Sequence, residues 1–233
     1  MKILAVDTTR FAGSAAILED TKLLSEVNIE SSLSFSERLL TSIHWMLQAT
    51  ELKPEDIDGF AVAAGPGSFT GIRIGISTVK AFAYASKKPV VGVSTLEALT
   101  LKLRQPQKRL ICPLLDAKKG EIYAALFEVH RNNLQEFIPQ AAYNPDYFFS
   151  LLPTHRIINF IGNGINPYRN KIFQYLKDKA RLSARTVFIA NEVGLLAYES
   201  FRKIKGNKLY EVTPIYFRTS QAEEKHKQSK TSA

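Results

Sequence analysis

The chain has 233 residues, of which 45% are apolar and 23% are charged, with 12 glycines and 10 prolines. This composition allows one large or two small domains, and it excludes a collagen, a wholly disordered chain and a disulfide-stapled mini-protein. The single cysteine, Cys112, cannot form an internal disulfide, and no Cys-x-x-Cys pair is present. A reducing, cytoplasmic location is therefore expected.

Neither secretion nor membrane contact is expected from the hydropathy pattern. The apolar run at the N-terminus, residues 3–6, ends at Asp7 and is too short for the core of a signal peptide. No stretch of the chain approaches the roughly 18 consecutive apolar residues that a membrane span needs.

The net charge of +9 is concentrated in the second half of the chain. Residues 1–100 carry 9 basic and 11 acidic side chains, whereas residues 101–218 carry 19 basic and 9 acidic ones. A basic half can attract a polyanion such as RNA, or it can simply keep the protein in solution. Both interpretations stay open, because no RNA-binding motif accompanies the charge.

The first fifty residues predict a strand meander followed by a helix. Short apolar runs separated by turn residues are typical of strands, and a strand stands where a Rossmann unit would have a helix. Ser34 and Glu37 fit a capping box, after which apolar residues recur at helical spacing as far as about Gln48. The three predicted strands are residues 2–7, 14–19 and 22–30.

The segment from 58 to 103 alternates strand and helix, which favours a doubly wound α/β layer. A strand at 58–64 runs into the loop Gly65-Pro66-Gly67-Ser68-Phe69-Thr70-Gly71, and a helix follows to about Ser86. A buried parallel strand at 89–94 and a helix from Thr95 to Leu103 come next. The helix that ends at about Ser86 carries small residues along its length, namely Gly71, Gly75 and several alanines. Another element is therefore predicted to pack close to its backbone.

Residues 105–109 mark the expected domain boundary, and the second half repeats the plan of the first. A hairpin turning at Lys118–Gly120 opens this half, as strands open the first half. A helix at 144–152, a strand at 157–161 and a helix at about 190–204 complete it. The predicted units are an N-terminal lobe at 1–104, a smaller C-terminal lobe at 105–218 and a disordered tail at 219–233.

The glycine-rich loop fits neither established phosphate motif. It lacks the lysine and the spacing of a Walker A loop, and its glycines have the wrong spacing for a Rossmann fingerprint. The amides of Gly67 to Gly71 at a helix start can bind an anion. The more favoured interpretation is a tight strand-to-helix corner that lets two helices meet.

Asp7-Thr8-Thr9 resembles the Asp-x-Gly-Thr phosphate loop of the actin, Hsp70 and sugar-kinase superfamily, but no glycine follows until Gly13. A degenerate nucleotide loop is therefore expected, with Asp7 alternatively capping the amides of its own turn. The residues assigned to this loop are Asp7, Thr8, Thr9, Gly65, Gly67, Ser68 and Gly71.

We expect no catalytic residues and no metal ligands. The four histidines include no pair one helical turn apart, and Ser68 is not in a nucleophile elbow. His44 is expected to be exposed or at an interface. Trp45 and Tyr84 are expected to pack against neighbouring elements.

Residues 59–97, which contain the Gly-Pro-Gly-Ser-Phe-Thr-Gly core, closely resemble the bacterial TsaB (YeaZ) family of tRNA threonylcarbamoyladenosine biosynthesis. The opening ILAVDTT, FSERLL at 35–40, DAKKGEIYAALF at 116–127 and PIYFR at 214–218 agree as well. The likeness therefore covers nearly the whole folded chain. Phe35 is one departure, because many relatives have histidine there.

The resemblance implies an α/β, duplicated actin/Hsp70/sugar-kinase-like fold with a complete N-terminal lobe and a reduced C-terminal lobe. It implies a non-catalytic scaffold required for threonylcarbamoyl transfer to N6 of the adenosine next to the anticodon, position 37, in tRNAs that read codons beginning with adenine. The implied partners are a TsaD-like catalytic paralogue and a TsaE-like ATPase, with a homodimer when the chain is alone. ATP and metal are expected on the partner subunits, and tRNA is reached indirectly through the complex. The alternative is an ATP-dependent phosphotransferase or nucleotide-binding protein of the same fold.

In this family the two helices of the N-terminal lobe form the partner interface, and we expect the same here. About half of the assigned residues should face their own sheet, and Ala83→Glu should break pairing at the exposed part. The assigned interface residues are Leu39, Leu40, Ile43, His44, Leu47, Ile72, Ile76, Val79 and Ala83.

Overall fold

The computed structural model describes residues 1–30, 35–131, 133–203 and 212–218. The first half builds five strands and three helices, with a short 3-10 turn at Pro54–Asp56. Their bounds are β1 (Lys2–Asp7), β2 (Gly13–Glu19), β3 (Lys22–Ile29), α1 (Phe35–Ala49), β4 (Gly59–Gly65), α2 (Phe69–Ser86), β5 (Val90–Ser94) and α3 (Thr95–Leu101).

The second half builds the same series of elements in the same order, with a 3-10 turn at Lys177–Lys179. Its first two helices are shorter, since α4 has 6 residues where α1 has 15 and α5 has 12 where α2 has 18, but α6 has 12 where α3 has 7. Their bounds are β6 (Arg109–Lys118), β7 (Glu121–His130), β8 (Asn133–Tyr143), α4 (Pro145–Ser150), β9 (Ile158–Ile161), α5 (Ile165–Leu176), β10 (Ala180–Leu182) and α6 (Ala190–Phe201).

The two sheets have one topology, which confirms the predicted internal repeat. The strand order is β3-β2-β1-β4-β5 in the first sheet and, read from the corresponding end, β8-β7-β6-β9-β10 in the second. In each sheet the first three strands along the chain are antiparallel neighbours, and the last two are parallel to the central strand or to each other. The chain is thus a tandem duplication of one β-β-β-α-β-α-β-α unit.

Three apolar clusters divide the molecule into layers. One cluster joins α1 and α2 to a face of the first sheet, and another joins α4 and α5 to a face of the second. The third lies between the two sheets and contains the apolar residues of α3 and α6. The order of layers is therefore α1/α2, first sheet, α3/α6, second sheet, α4/α5, because each sheet needs apolar cover on both faces.

Helix α6 belongs to the second repeat by chain order but packs on the first sheet. Gly194 lies against the side chain of Leu18 on β2, and the ring of Phe201 lies against Gly59 on β4. The amide of Ala190 donates to Oγ of Ser14, which fixes the start of the helix on the same strand. The helix predicted at 190–204 therefore exists, but it covers the first lobe rather than only completing the second.

The sequence-based predictions cover eight strands and five helices, each found within a few residues of its expected place. The strands β8 and β10 and the helix α5 were not predicted. Strand β8 does not alternate regularly between apolar and polar residues, because its exposed edge carries polar residues and Pro139. The pattern of α5 is interrupted by Pro167 in its first turn. Ser34, on which the predicted capping box depends, and the tail after Arg218 lie outside the described residues. Among the described residues, no helix combines the length and apolarity required to cross a bilayer.

Candidate ligand cleft between the two sheets

The turn that follows β1 is organised by the buried carboxylate of Asp7. Its Oδ1 accepts hydrogen bonds from the backbone N–H of Thr9 at 2.9 Å and from the Thr9 hydroxyl at 2.7 Å. Asp7, Thr8 and Thr9 are all buried. A carboxylate that bonds the amide two residues ahead stabilises a tight turn, so Asp7 caps the amides of its own turn.

The charge of Asp7 is balanced within the chain by Arg10. The Nη2 atom of Arg10 lies 3.6 Å from Asp7 Oδ2, which has no hydrogen-bond partner among the described residues. Arg10 also donates to the carbonyl oxygen of Val187, just before α6. The guanidinium is itself mostly buried and is held against the carboxylate. It supplies the positive charge that a buried carboxylate needs beside it.

The glycine-rich loop after β4 packs directly on this turn. The N–H of Ser68 donates to the Thr9 carbonyl at 2.6 Å, and the Thr8 hydroxyl donates to the Gly71 carbonyl at 2.6 Å. A Cβ atom at Gly71 would overlap the Thr8 carbonyl oxygen, and one at Gly67 would overlap that of Thr9. The glycines are therefore required for this close approach. The close neighbour predicted for the helix that carries Gly71 and Gly75 is therefore confirmed, and it is this turn.

The structure thus brings all the residues of the predicted degenerate nucleotide loop together. The Ser68 side chain caps α2 by accepting from the Gly71 amide at 3.3 Å. Several polar groups that a phosphate would contact in such a loop are already bonded within the chain. No three His, Cys, Asp or Glu side chains among the described residues are placed to hold a metal ion.

The segment from Val212 to Arg218, which we call the C-terminal strap, contacts both repeats. On the first repeat, the amide of Ile215 donates to the Ala64 carbonyl at 2.7 Å. On the second, Phe217 packs near Tyr123, and Arg218 Nε lies 2.9 Å from an Oε atom of Glu121. The strap therefore fixes one side of the gap between the two sheets.

A cavity of about 900 Å³ lies between the start of α2, the turn after β1, the β6–β7 turn and the strap. Its basic side chains come from all four of these elements. Aromatic rings also line it, including that of Phe11, which is 79% exposed. We call this cavity the interlobe cleft. Its cationic residues are Arg10, Arg73, Lys118, Lys119 and Arg218, and its aromatic residues are Phe11, Phe69, Tyr123, Tyr216 and Phe217.

Three side chains of the interlobe cleft form a stack. The rings of Phe69 and Tyr216 are parallel within 19°, with centroids 4.4 Å apart. The guanidinium of Arg73 lies 3.9 Å from the Phe69 ring centroid, and its Nε donates to the Tyr216 hydroxyl at 3.1 Å. These contacts position flat, partly cationic groups at the wall of the cleft.

The predicted partner interface is mostly buried in the core of this chain. Seven of its nine residues pack on the first sheet, whereas Leu40 is 57% exposed and His44 is also exposed. Ala83 is fully buried, so Ala83→Glu would disrupt the core and is not a test of pairing. The buried residues are Leu39, Ile43, Leu47, Ile72, Ile76, Val79 and Ala83.

Two large side chains expected to pack are instead exposed on the same helical layer. Trp45 of α1 is 57% exposed and Tyr84 of α2 is 70% exposed. Both positions lie off the apolar stripe of their helices, which is the signal that could have identified them. We call Leu40, His44, Trp45 and Tyr84 the outer helical face.

Two β-β-β-α-β-α-β-α repeats around an interlobe cleft define a protein of the actin, Hsp70 and sugar-kinase fold class. Residues 26–225 match the family model of TsaD, the tRNA N6-adenosine threonylcarbamoyltransferase. The chain therefore belongs to this family.

Comparison with individual proteins confirms the resemblance to TsaB and the fold class. The chain is 28% identical to the tRNA threonylcarbamoyladenosine biosynthesis protein TsaB of Bacillus subtilis over 228 residues, 97% of each chain. Its fold matches YeaZ from Pseudomonas aeruginosa with a TM-score of 0.78 and 23% identity, covering 92% of this chain and 99% of that one. It also matches the ROK hexokinase of Thermus thermophilus with a TM-score of 0.51 and 11% identity, covering 87% and 100% of the two chains.

Proposed function

We propose that this chain is a non-catalytic scaffold subunit in the biosynthesis of threonylcarbamoyladenosine in tRNA. It is required for transfer of the threonylcarbamoyl group to N6 of the adenosine at position 37, and it pairs with a TsaD-like catalytic paralogue. The observation that carries the non-catalytic role is the packing around Asp7. A kinase of this fold class needs an open phosphate loop at this position. In this chain, Thr8, Thr9 and Arg10 occupy that position.

The chemistry of the turn supports this proposal. Activation of a phosphate needs amides and a cation directed at the transferred group. Here the Ser68 amide is bonded to Thr9, and the Asp7 carboxylate is paired with Arg10. ATP and metal are therefore assigned to the partner subunits, among them a TsaE-like ATPase.

The outer helical face is the surface we propose for the paralogue. Trp45 and Tyr84 are large, exposed and aromatic, and such side chains are enriched at the centres of interfaces. Ala81 and Ala85 of α2 are exposed as well, and their small side chains let a partner helix approach closely. Without the paralogue, the same face of a second copy can cover it with two-fold symmetry, which gives the homodimer.

A substitution on the outer helical face tests the pairing. Tyr84→Glu is expected to weaken the homodimer and the complex with the paralogue at least about tenfold, because a desolvated, unpaired charge is costly in an interface. Tyr147→Glu is the matched control, since Tyr147 is 60% exposed on α4 in the opposite outer layer. Light scattering gives the mass of the purified variants, and co-purification measures pairing. Equal behaviour of the two variants would refute this surface.

The function itself is tested by reconstitution. Modified adenosine is measured by mass spectrometry of nucleosides from tRNA that starts unmodified. The paralogue, the ATPase, ATP and an activated threonylcarbamoyl donor are present, and this chain is either added or omitted. Modification is expected to need the chain, and undiminished modification in its absence would contradict the scaffold role. ATP turnover by the purified chain alone, lost in Asp7→Ala, would instead favour the phosphotransferase alternative.

A further inference from the structure

We propose that the interlobe cleft binds a single strand of RNA directly. This goes beyond the proposed function, in which the chain reaches tRNA only through its complex. The proposal depends on the side chains that line the cleft and on their arrangement across both repeats.

The charge of the cleft suits a phosphate backbone. Five of its lining residues are cationic, and Asp116 is the one acidic residue among the described residues that line it. The Lys118 side chain is 81% exposed, and its ion pair with Asp116 at 2.9 Å lies at the surface. Such exposed pairs contribute little to stability, so Lys118 can exchange the carboxylate for a phosphate. Arg10 is mostly buried and paired with Asp7, so the cations that face the cleft come from three elements, the start of α2, the β6–β7 turn and the C-terminal strap. This spread suits an extended backbone better than a single compact anion.

The aromatic residues of the cleft suit nucleobases. Phe11 leaves 79% of its surface exposed beside the cations, although a phenylalanine in a turn normally packs. Arg73, Phe69 and Tyr216 already form a stack at the same wall. A basic groove with exposed rings is the arrangement by which proteins bind single-stranded nucleic acid without reading its sequence.

The geometry favours an RNA strand over a metal-bound mononucleotide or an acidic peptide. A mononucleotide would need the phosphate loop, but Gly67 and Gly71 are covered by Thr8 and Thr9, and Asp7 is paired with Arg10. An acidic peptide would use the cations but gains nothing specific from the exposed rings. The cleft volume of about 900 Å³ is that of a small-molecule site, so it holds one or two nucleotides of a strand that continues across the rim.

The test is fluorescence anisotropy of a labelled twelve-nucleotide oligouridine with the full chain at low and moderate salt. Phe11→Ala is expected to weaken binding about fivefold or more, through lost base stacking. Lys118→Glu is expected to weaken it about tenfold or more and to reduce the slope of log K against log salt by about 0.7. Each variant is checked for an unchanged thermal midpoint. Phe11 and Lys118 are both highly exposed, so both variants should fold.

Matched controls outside the cleft make the test specific. Tyr147→Ala removes an exposed ring from α4, and Lys53→Glu reverses an exposed charge just before β4. Lys53 lies at the amino end of β4, whereas the cleft lies at the carboxyl ends of β1 and β4. Both controls are expected to bind oligouridine within about twofold of the parent chain.

Three outcomes would overturn the proposal. The first is no measurable binding of the oligouridine, and the second is equal loss of binding in the cleft variants and their controls. The third is complete displacement of the RNA by ATP, which would identify a mononucleotide site. Pairing of Phe11→Ala with the paralogue is measured in parallel and is expected to be unchanged. The RNA proposal can therefore fail while the scaffold function holds, or hold while the scaffold function fails.

Discussion

Asp7 ends the first strand of one repeat and Asp116 lies two residues before the end of the first strand of the other. The residues that follow Asp7, Thr8 and Thr9, are buried, whereas residues 118–120 are exposed. Asp7 and Asp116 each accept a hydrogen bond from the amide two residues ahead, both at 2.9 Å. Asp7 is fully buried and paired with a mostly buried Arg10, whereas Asp116 pairs with Lys118, whose side chain is 81% exposed. The same hydrogen bond from a backbone amide to an aspartate therefore lies inside the packed structure in the first repeat. In the second repeat it lies beside the exposed charge of Lys118. The position of a residue in a fold class does not by itself fix its role.

The largest expected effect breaks the packing of the first turn. Gly71→Ala places a Cβ against the Thr8 carbonyl, so α2 must move or the turn must open. A loss of about 4 kcal/mol in the free energy of unfolding is expected, measured by urea denaturation. Gly120→Ala is the counterpart in the second turn, where a Cβ meets nothing within 4 Å but φ is +75°. It should cost only about 1 kcal/mol, from the left-handed backbone alone. Similar losses at the two sites would contradict the comparison.

The next effect tests the charge pair of the first turn. Arg10→Ala leaves the buried Asp7 carboxylate without a counter-charge and is expected to destabilise the fold by about 3 kcal/mol. Adding Asp7→Asn should restore part of this loss, because asparagine keeps the Oδ1 acceptor for Thr9 and carries no charge. Lys118→Ala breaks the exposed pair of the second turn and should cost less than about 1 kcal/mol. Thermal melts compare the parent chain, Arg10→Ala, the double variant and Lys118→Ala. A double variant less stable than Arg10→Ala would refute the pairing of Arg10 with Asp7.

The smallest effect is a difference in pH response between the two sheets. Burial raises the pKa of Glu26 on β3 above its usual 4.5, so protonation favours the folded state and this contribution to stability grows as pH falls. Hydrogen bonds from Lys108 and Arg156 lower the pKa of Glu128 on β7. Its contribution is present at neutral pH and is lost as pH falls through the folded-state pKa.

Two isosteric variants measure this difference. At pH 7, Glu26→Gln is expected to melt slightly above the parent chain and Glu128→Gln slightly below it. The Glu26 difference should shrink as pH falls toward 4.5, because the raised pKa of this carboxyl lies above that value. The Glu128 difference should shrink only below 4.5, as pH approaches the lowered pKa of that carboxyl. Melting temperatures at several pH values check this, and differences independent of pH would show that charge is not their cause.

Much of the fold could be predicted because strong periodicity and turn residues mark most of its elements. The meander, α1, α2 and the repeat all follow from apolar spacing, as Leu39, Ile43 and Val79 illustrate. The proposed partner interface was harder to predict than the fold. An apolar stripe on a helix indicates that those side chains are buried, but it does not indicate whether their own sheet or a partner buries them. Those three residues pack on their own sheet, and the exposed Trp45 and Tyr84 lie off the stripe. The interlobe cleft could not be predicted, since Phe11, Lys118 and Tyr216 meet only through long-range contacts.

The placement of α6 has a consequence for synthesis of the chain on the ribosome. The bond from Ala190 to Ser14 spans 176 positions, so the part of the first sheet that α6 covers stays exposed until Ala190–Phe201 has been translated. A nascent first repeat therefore leaves the exit tunnel with an apolar face that chaperones can bind. Folding that depends on such distant contacts is slow, and completion of the first half must await α6.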